Sequence, residues 1–245
     1  MTELSTAALL TALRTTAAIL LEKSAALTDS GMRTGTELPG WTRGHVLAHL
    51  SGVTNAMARQ AEYAVRGEKT ELYDGGFEGR NKAIELAAGH GAAEQHRDLE
   101  AALDRALTAF DALDEVGWRA SIAYRNGVVL DGGLALWREL VIHLSDLAVG
   151  RGPETWTQPF CRHLFDFLTA RVPAELRLKL QPLGLPPLTL GNGNRSISIS
   201  GMLTDIAAWL AGRTPTSGSL RATAAADGVD LPALLPWPAG VPVPQ

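Results

Sequence analysis

The sequence is short of cysteine, of long apolar runs and of positive charge, and each shortage removes a class of function. A single cysteine, Cys161, stands among 245 residues, so no intramolecular disulfide can form. A zinc site built on several thiolates is excluded for the same reason. No stretch reaches the roughly 18 consecutive apolar residues that suggest a membrane-crossing helix. The formal net charge is -4, so no global basic field draws the chain to nucleic acid or to anionic membranes. There is no phosphate-binding loop and no nucleophile elbow, and Gly191-x-Gly193 is too short for a dinucleotide fingerprint. The N-terminal segment carries Glu3 early and lacks a basic start or a cleavage site. It reads as an amphipathic helix of the mature protein, not as a signal peptide. A cytoplasmic globular protein is the resulting expectation. Its 46% hydrophobic and 20% charged residues suffice for a sizeable core.

The first 150 residues read as helical. Leu9, Leu10, Leu13, Leu20 and Leu21 recur at helix spacing. Residues 34–40 form a polar break, and a second helix starts near Thr42 as N-cap and stops at Gly67. A glycine-containing loop follows, holding Gly75, Gly76 and Gly79. Helical signal resumes at Arg80 and runs, broken at Gly89 and Gly91, to about Leu113. Residues 122–133 contain Asn126-Gly127 and Asp131-Gly132-Gly133 and read as a turn-rich connection. A fourth helix then runs to Gly150. Four helices with one or two long connections describe a bundle. Beyond Arg151 the character changes to one helix, three segments of alternating apolar and polar residues, and a further amphipathic helix. A Pro-rich tail, expected to be extended, closes the chain. The fold class is thus a two-domain α plus α/β chain, with a four-helix bundle over residues 1–151 and a smaller α+β domain over residues 152–245.

Glu139 and His143 are four residues apart on the fourth helix, so both side chains share one face. Leu136, Leu140, Leu144 and Leu147 flank them and turn that face toward the core. A carboxylate buried there is costly unless it is paired or bound to metal. Imidazole and carboxylate are zinc ligands, and bundles build metal sites from facing helices. The second helix offers His45 and His49, also four apart. His49 lies deeper among Leu47, Leu50 and Val53 and is the preferred ligand. His45 sits near the polar helix start and suits a capping or outer role. Three ligands leave a position for water or a substrate atom, although two His and one carboxylate also suit non-haem iron. A Glu-x-x-x-His pair can equally be a local ion pair. His90, His96 and His163 read as surface or packing residues, and Cys161 as a packed thiol. Arg80 and Arg213 are cations at a helix start and a helix end. Either can clamp a carboxylate, or Arg213 can simply complement a helix C-terminus.

Four segments, GWTRGHVLAHL, GRNKAIE, WRELVIHLSDL and ISGMLTDIAAWLAGR, resemble the mycothiol-dependent maleylpyruvate isomerase family of the DinB-like metalloprotein superfamily. The resemblance spans nearly the whole chain in the right order. It implies a DinB-like bundle holding a divalent metal, zinc, through His49, Glu139 and His143, and a sterol-carrier-like C-terminal domain. It carries Arg80, Asn81 and Arg213 over as residues for mycothiol and substrate, with both arginines catalytic. The implied reaction belongs to aromatic-compound catabolism. Zinc would lower the pKa of the mycothiol thiol. The thiolate would add to the double bond of maleylpyruvate, the bond would rotate, and expulsion would give fumarylpyruvate. The implied partners are a small thiol and an unsaturated dicarboxylic acid, with neither nucleic acid nor membrane. A mycothiol S-transferase for another electrophile, or a non-catalytic metal-stabilised small-ligand carrier, uses the same residues.

Overall fold

The computed structural model describes residues 4–225 and 227–238. The chain divides into two compact units, one up to Gly150 and one from Arg151 onward.

The first unit is helical. Its long helices are α1 (Thr6–Ala25), α3 (Arg43–Val65), α5 (Ala92–Asp111) and α7 (Val129–Asp146), with short α2 (Asp29–Met32), α4 (Gly76–Ala87) and α6 (Glu115–Trp118) between them. α1 and α3 each pack against α5 and α7, which closes a four-helix ring. Three of the five leucines predicted for the first helix do this work, and Leu10 and Leu21 stay half-buried. Leu9, Leu13 and Leu20 are fully buried, together with Leu47, Leu50, Leu99, Leu136 and Leu140. α4 is an addition laid on α3, and Ile84 is its buried residue.

Two readings change. Gly76 and Gly79 are not loop residues but the first turn of α4, so Arg80 sits inside that helix and not at its start. Asp131-Gly132-Gly133 is not a turn but the first part of α7. Asp131 accepts the Val128 N–H and caps the helix. The two glycines are packing residues: a Cβ at Gly132 would meet Ile122 Cδ1 at 3.2 Å, and one at Gly133 would meet Leu9 Cδ2 at 3.1 Å.

The second unit contains α8 (Gln158–Leu168), β1 (Leu176–Pro182), β2 (Leu188–Leu190), β3 (Arg195–Gly201), α9 (Leu203–Leu210), β4 (Arg221–Ala224) and β5 (Asp227–Val229). The strands form one sheet in the order β2-β1-β3-β4-β5. β1 and β3 run parallel, with Leu178 beside Ile197 and Leu180 beside Ile199, and the other pairs are antiparallel. Strict alternation buries Leu176, Leu178 and Leu180 on one face of β1. α8 packs on α9, which packs on β1 and β3. The fold is the expected combination of a helical bundle and an α+β unit. β4 and β5 were absent from the sequence reading. The part of the Pro-rich tail over residues 231–238 has no regular secondary structure, and residues 239–245 lie outside the described residues.

Candidate metal centre

The beginning of α3 fixes the first ligand candidate. Thr42 is the N-cap, and His45 completes the cap: its Nδ1 accepts the Thr42 N–H at 3.2 Å and lies 2.8 Å from Thr42 Oγ1. Arg43 ties this helix start to the far end of α7. Its Nε donates to the Leu147 carbonyl at 2.7 Å and its Nη2 to the Ala148 carbonyl at 2.9 Å. With those ends joined, His49 comes to face α7.

There it meets the predicted pair. Glu139 Oε2 lies 2.9 Å from His49 Nε2 and 3.2 Å from His143 Nε2. The two imidazole centroids are 4.6 Å apart and nearly perpendicular. His49 and His143 are buried to 6% and 13% side-chain exposure, while Glu139 keeps 30% and opens the group to solvent. The charges polarise one another. Burial pushes His49 down to about 4, against the hydrogen bond that its ring donates to Glu139. Burial also opposes the charge on His143, but Asp146 and Glu139 outweigh it and raise that ring to about 9. Glu139 resists desolvation through hydrogen bonds from both rings, which hold its carboxyl well below the usual carboxylate range.

These donors fit a divalent ion. One atom from each residue lies within 4.8 Å of the others. Tetrahedral zinc, with bonds of roughly 2.0–2.1 Å, separates its ligand atoms by about 3.3 Å. The observed 2.9 and 3.2 Å are within a few tenths of that. Two imidazoles and one carboxylate suit zinc or non-haem iron alike.

The surroundings include residues the sequence reading missed. Trp41, just before the cap, packs its indole 5.5 Å from the His49 ring and 6.4 Å from the His143 ring. Asp146 brings Oδ2 to 2.8 Å of His143 Nδ1, in a close contact that is bent away from the ring N–H direction. Its signal in the sequence was three-residue spacing from His143 at the end of α7. Arg80 was anticipated: its Nη2 donates to His49 Nδ1 at 3.0 Å and its Nη1 to Asn81 Oδ1 at 2.9 Å. Its guanidinium lies 5.8 Å from the Tyr73 ring centroid. His49, Tyr73 and Arg80 line a cleft of about 360 Å³ bounded by α3, α4 and α5.

Five predicted residues therefore gather in the first unit: His49, Glu139 and His143 as donors, Arg80 behind His49, and Asn81 beside Arg80. Arg213 belongs to the second unit, where its Nη1 donates to the Ala211 carbonyl just past α9 at 3.1 Å. Among the described residues, a second group with metal-compatible donors, His90, Glu94 and Asp98, lies at the surface. His96 is a packing residue: its Nδ1 lies 2.8 Å from Ser24 Oγ, joining α1 to α5. Cys161 is buried and its thiol is pushed up to about 12 by desolvation.

Fold and site together define a helical-bundle protein with a histidine–carboxylate centre. The sequence pattern of the mycothiol maleylpyruvate isomerase N-terminal domain matches residues 13–148, more than half the chain, and the protein belongs to that family. No curated protein sequence matches it. Among solved structures, the crystal structure of a mycothiol-dependent maleylpyruvate isomerase aligns with a TM-score of 0.79 at 21% identity, covering 90% of this chain and 93% of that one. A histidine-to-alanine mutant of a mycothiol-dependent maleylpyruvate isomerase aligns with the same score and coverage at 20% identity. At those identities the likeness establishes a shared fold.

Proposed function

We propose that this protein is a mycothiol-dependent enzyme that isomerises maleylpyruvate to fumarylpyruvate, with His49, Glu139 and His143 holding a catalytic divalent ion, zinc in the first instance. The observation that carries the reading is the convergence of Nε2 of His49, Oε2 of Glu139 and Nε2 of His143 from two helices onto one point. Family membership and the shared fold support it.

With ion and thiol bound, the chemistry supplied is a thiolate nucleophile at neutral pH for reversible addition to a conjugated double bond. The chain does the rest. Glu139 offsets the positive charge of the ion and orients both imidazoles. Trp41 packs against both rings and restricts water beside them. Arg80 presents a guanidinium next to His49, suited to a substrate carboxylate or to negative charge that develops on addition. Asn81 orients that guanidinium. Arg213, which matches the family's Gly-Arg motif, is kept as a second candidate cation for substrate. The setting proposed is the cytoplasm; no helix among the described residues is long and apolar enough to cross a membrane.

The test mixes purified zinc-loaded protein with mycothiol and maleylpyruvate and follows fumarylpyruvate. Formation that depends on both metal and thiol is expected. Conjugation of mycothiol to other electrophiles, with maleylpyruvate untouched, would replace the isomerase with a transferase. No thiol-dependent reaction of either kind would sink the enzyme reading.

A further inference from the structure

Behind His143 stands a carboxylate outside the proposed ligand set. Asp146 closes α7, one turn beyond His143, and its side chain is only 3% exposed. That location is unfavourable twice over. A buried carboxylate loses its hydration, and a helix C-terminus carries partial negative charge that repels an anion. One contact that offsets these costs is with His143, whose Nδ1 lies 2.8 Å from Asp146 Oδ2. The other ring nitrogen, Nε2, then faces Glu139 at 3.2 Å.

His49 has the opposite neighbour. Its outer nitrogen, Nδ1, accepts a hydrogen bond from the Arg80 guanidinium at 3.0 Å. One imidazole of the pair is backed by an anion and the other by a cation. An anion behind a metal-binding imidazole fixes the ring and its tautomer and makes it a stronger donor. With Arg80 donating to Nδ1, the neutral His49 ring carries its proton on Nε2, so Nε2 takes up an ion only when that proton moves to Nδ1 and the Arg80 contact is given up.

We infer that Asp146 is a positioning residue that makes His143 the anchoring donor of an asymmetric centre, with His49 the weaker donor. The inference rests on the reading that His49, Glu139 and His143 hold a divalent ion. Asp146 touches neither ion nor substrate in this role. It acts through the orientation of the His143 ring and the basicity of its Nε2.

The experiment measures zinc affinity of the full chain by competition with a chromophoric chelator, for wild type, Asp146→Asn, Asp146→Ala and Arg80→Gln. Both Asp146 variants are expected to bind zinc about 10–100-fold more weakly, the usual cost of losing such an outer partner. Arg80→Gln is expected to bind as tightly as wild type or more so. Cobalt(II) loading supplies a readout that a merely structural role would not move: the visible absorption of Asp146→Asn should shift from that of wild type. Should Asp146→Ala lose its helical circular dichroism, the isosteric Asp146→Asn carries the test. Affinities within twofold of wild type, or an unshifted cobalt spectrum in a folded Asp146→Asn, overturn the role. An Arg80→Gln affinity that falls as far as that of Asp146→Asn overturns the asymmetry. A wild-type chain that takes up no zinc fails the metal centre itself, and the role falls with it. Zinc bound equally by wild type and the Asp146 variants fails the role alone.

Discussion

Consider the protein kept in chelator and titrated between about pH 4 and about pH 10, with its histidine rings followed by NMR. Free imidazoles titrate near 6.5. Burial lowers His49 to about 4, and the nearby charges of His143 and Arg80 push the same way. His143 is raised to about 9, since Asp146 and Glu139 together exceed its burial penalty. Two rings with centroids 4.6 Å apart are thus expected to titrate roughly 5 pH units apart, as apparent values of one coupled cluster. The signs of the stability effects differ. His143 has a folded pKa above its unfolded value, so its contribution is complete below about pH 6.5 and is lost as pH rises through about 9. His49 has a depressed folded pKa, so its contribution is present above about pH 6.5 and is lost as pH falls through about 4. At about 1.4 kcal/mol per pH unit, each is worth roughly 3 kcal/mol. For a chain of this size that is a loss of about 6–12 °C in thermal midpoint toward either end of the range. Zinc must displace the His143 proton, so its affinity should rise about tenfold per pH unit up to about pH 9. Two central histidines that both titrate between about pH 6 and pH 7 would refute the charge arrangement.

Three further outcomes follow from the same geometry. His49→Ala should abolish stoichiometric zinc and thiol-dependent turnover while helical circular dichroism is retained; turnover that survives metal loss would contradict the mechanism. Gly44→Ala should destabilise the protein by about 1–3 kcal/mol in denaturant unfolding, because the added Cβ would lie 2.7 Å from the Ala88 backbone carbonyl, which cannot rotate away. Cys161, fully buried with its thiol pushed up to about 12, should resist thiol reagents at neutral pH until the protein unfolds; rapid modification of the folded chain would contradict its packing.

The parts of the centre that could be read from sequence are those set by local periodicity. Glu139 and His143 are one helical turn apart, so their shared face follows from helix geometry alone. The leucines around them indicated which way that face turns. His49 was harder. Its meeting with Glu139 joins residues 90 positions apart, and it depends on Arg43 clasping the end of α7, a contact no spacing rule reveals. The family resemblance supplied that link. Asp146 was missed because an aspartate at a helix end ordinarily faces water. Its value lies in the ring behind which it is buried. Gly132 and Gly133 were misread because glycine breaks helices in isolation, whereas here its small size lets Leu9 and Ile122 approach α7. In the second unit, the alternation in β1 and β3 was plain. β4 was not, because Arg221–Ala224 offers only Ala222 as a buried apolar residue.

The most direct test of the metal centre is elemental analysis of the full chain purified with zinc present, beside His49→Ala, Glu139→Gln and His143→Ala variants prepared identically. One zinc per wild-type chain, and much less than one in each variant, is the expected result. A wild-type chain without metal, or variants that keep a full equivalent, would contradict the centre.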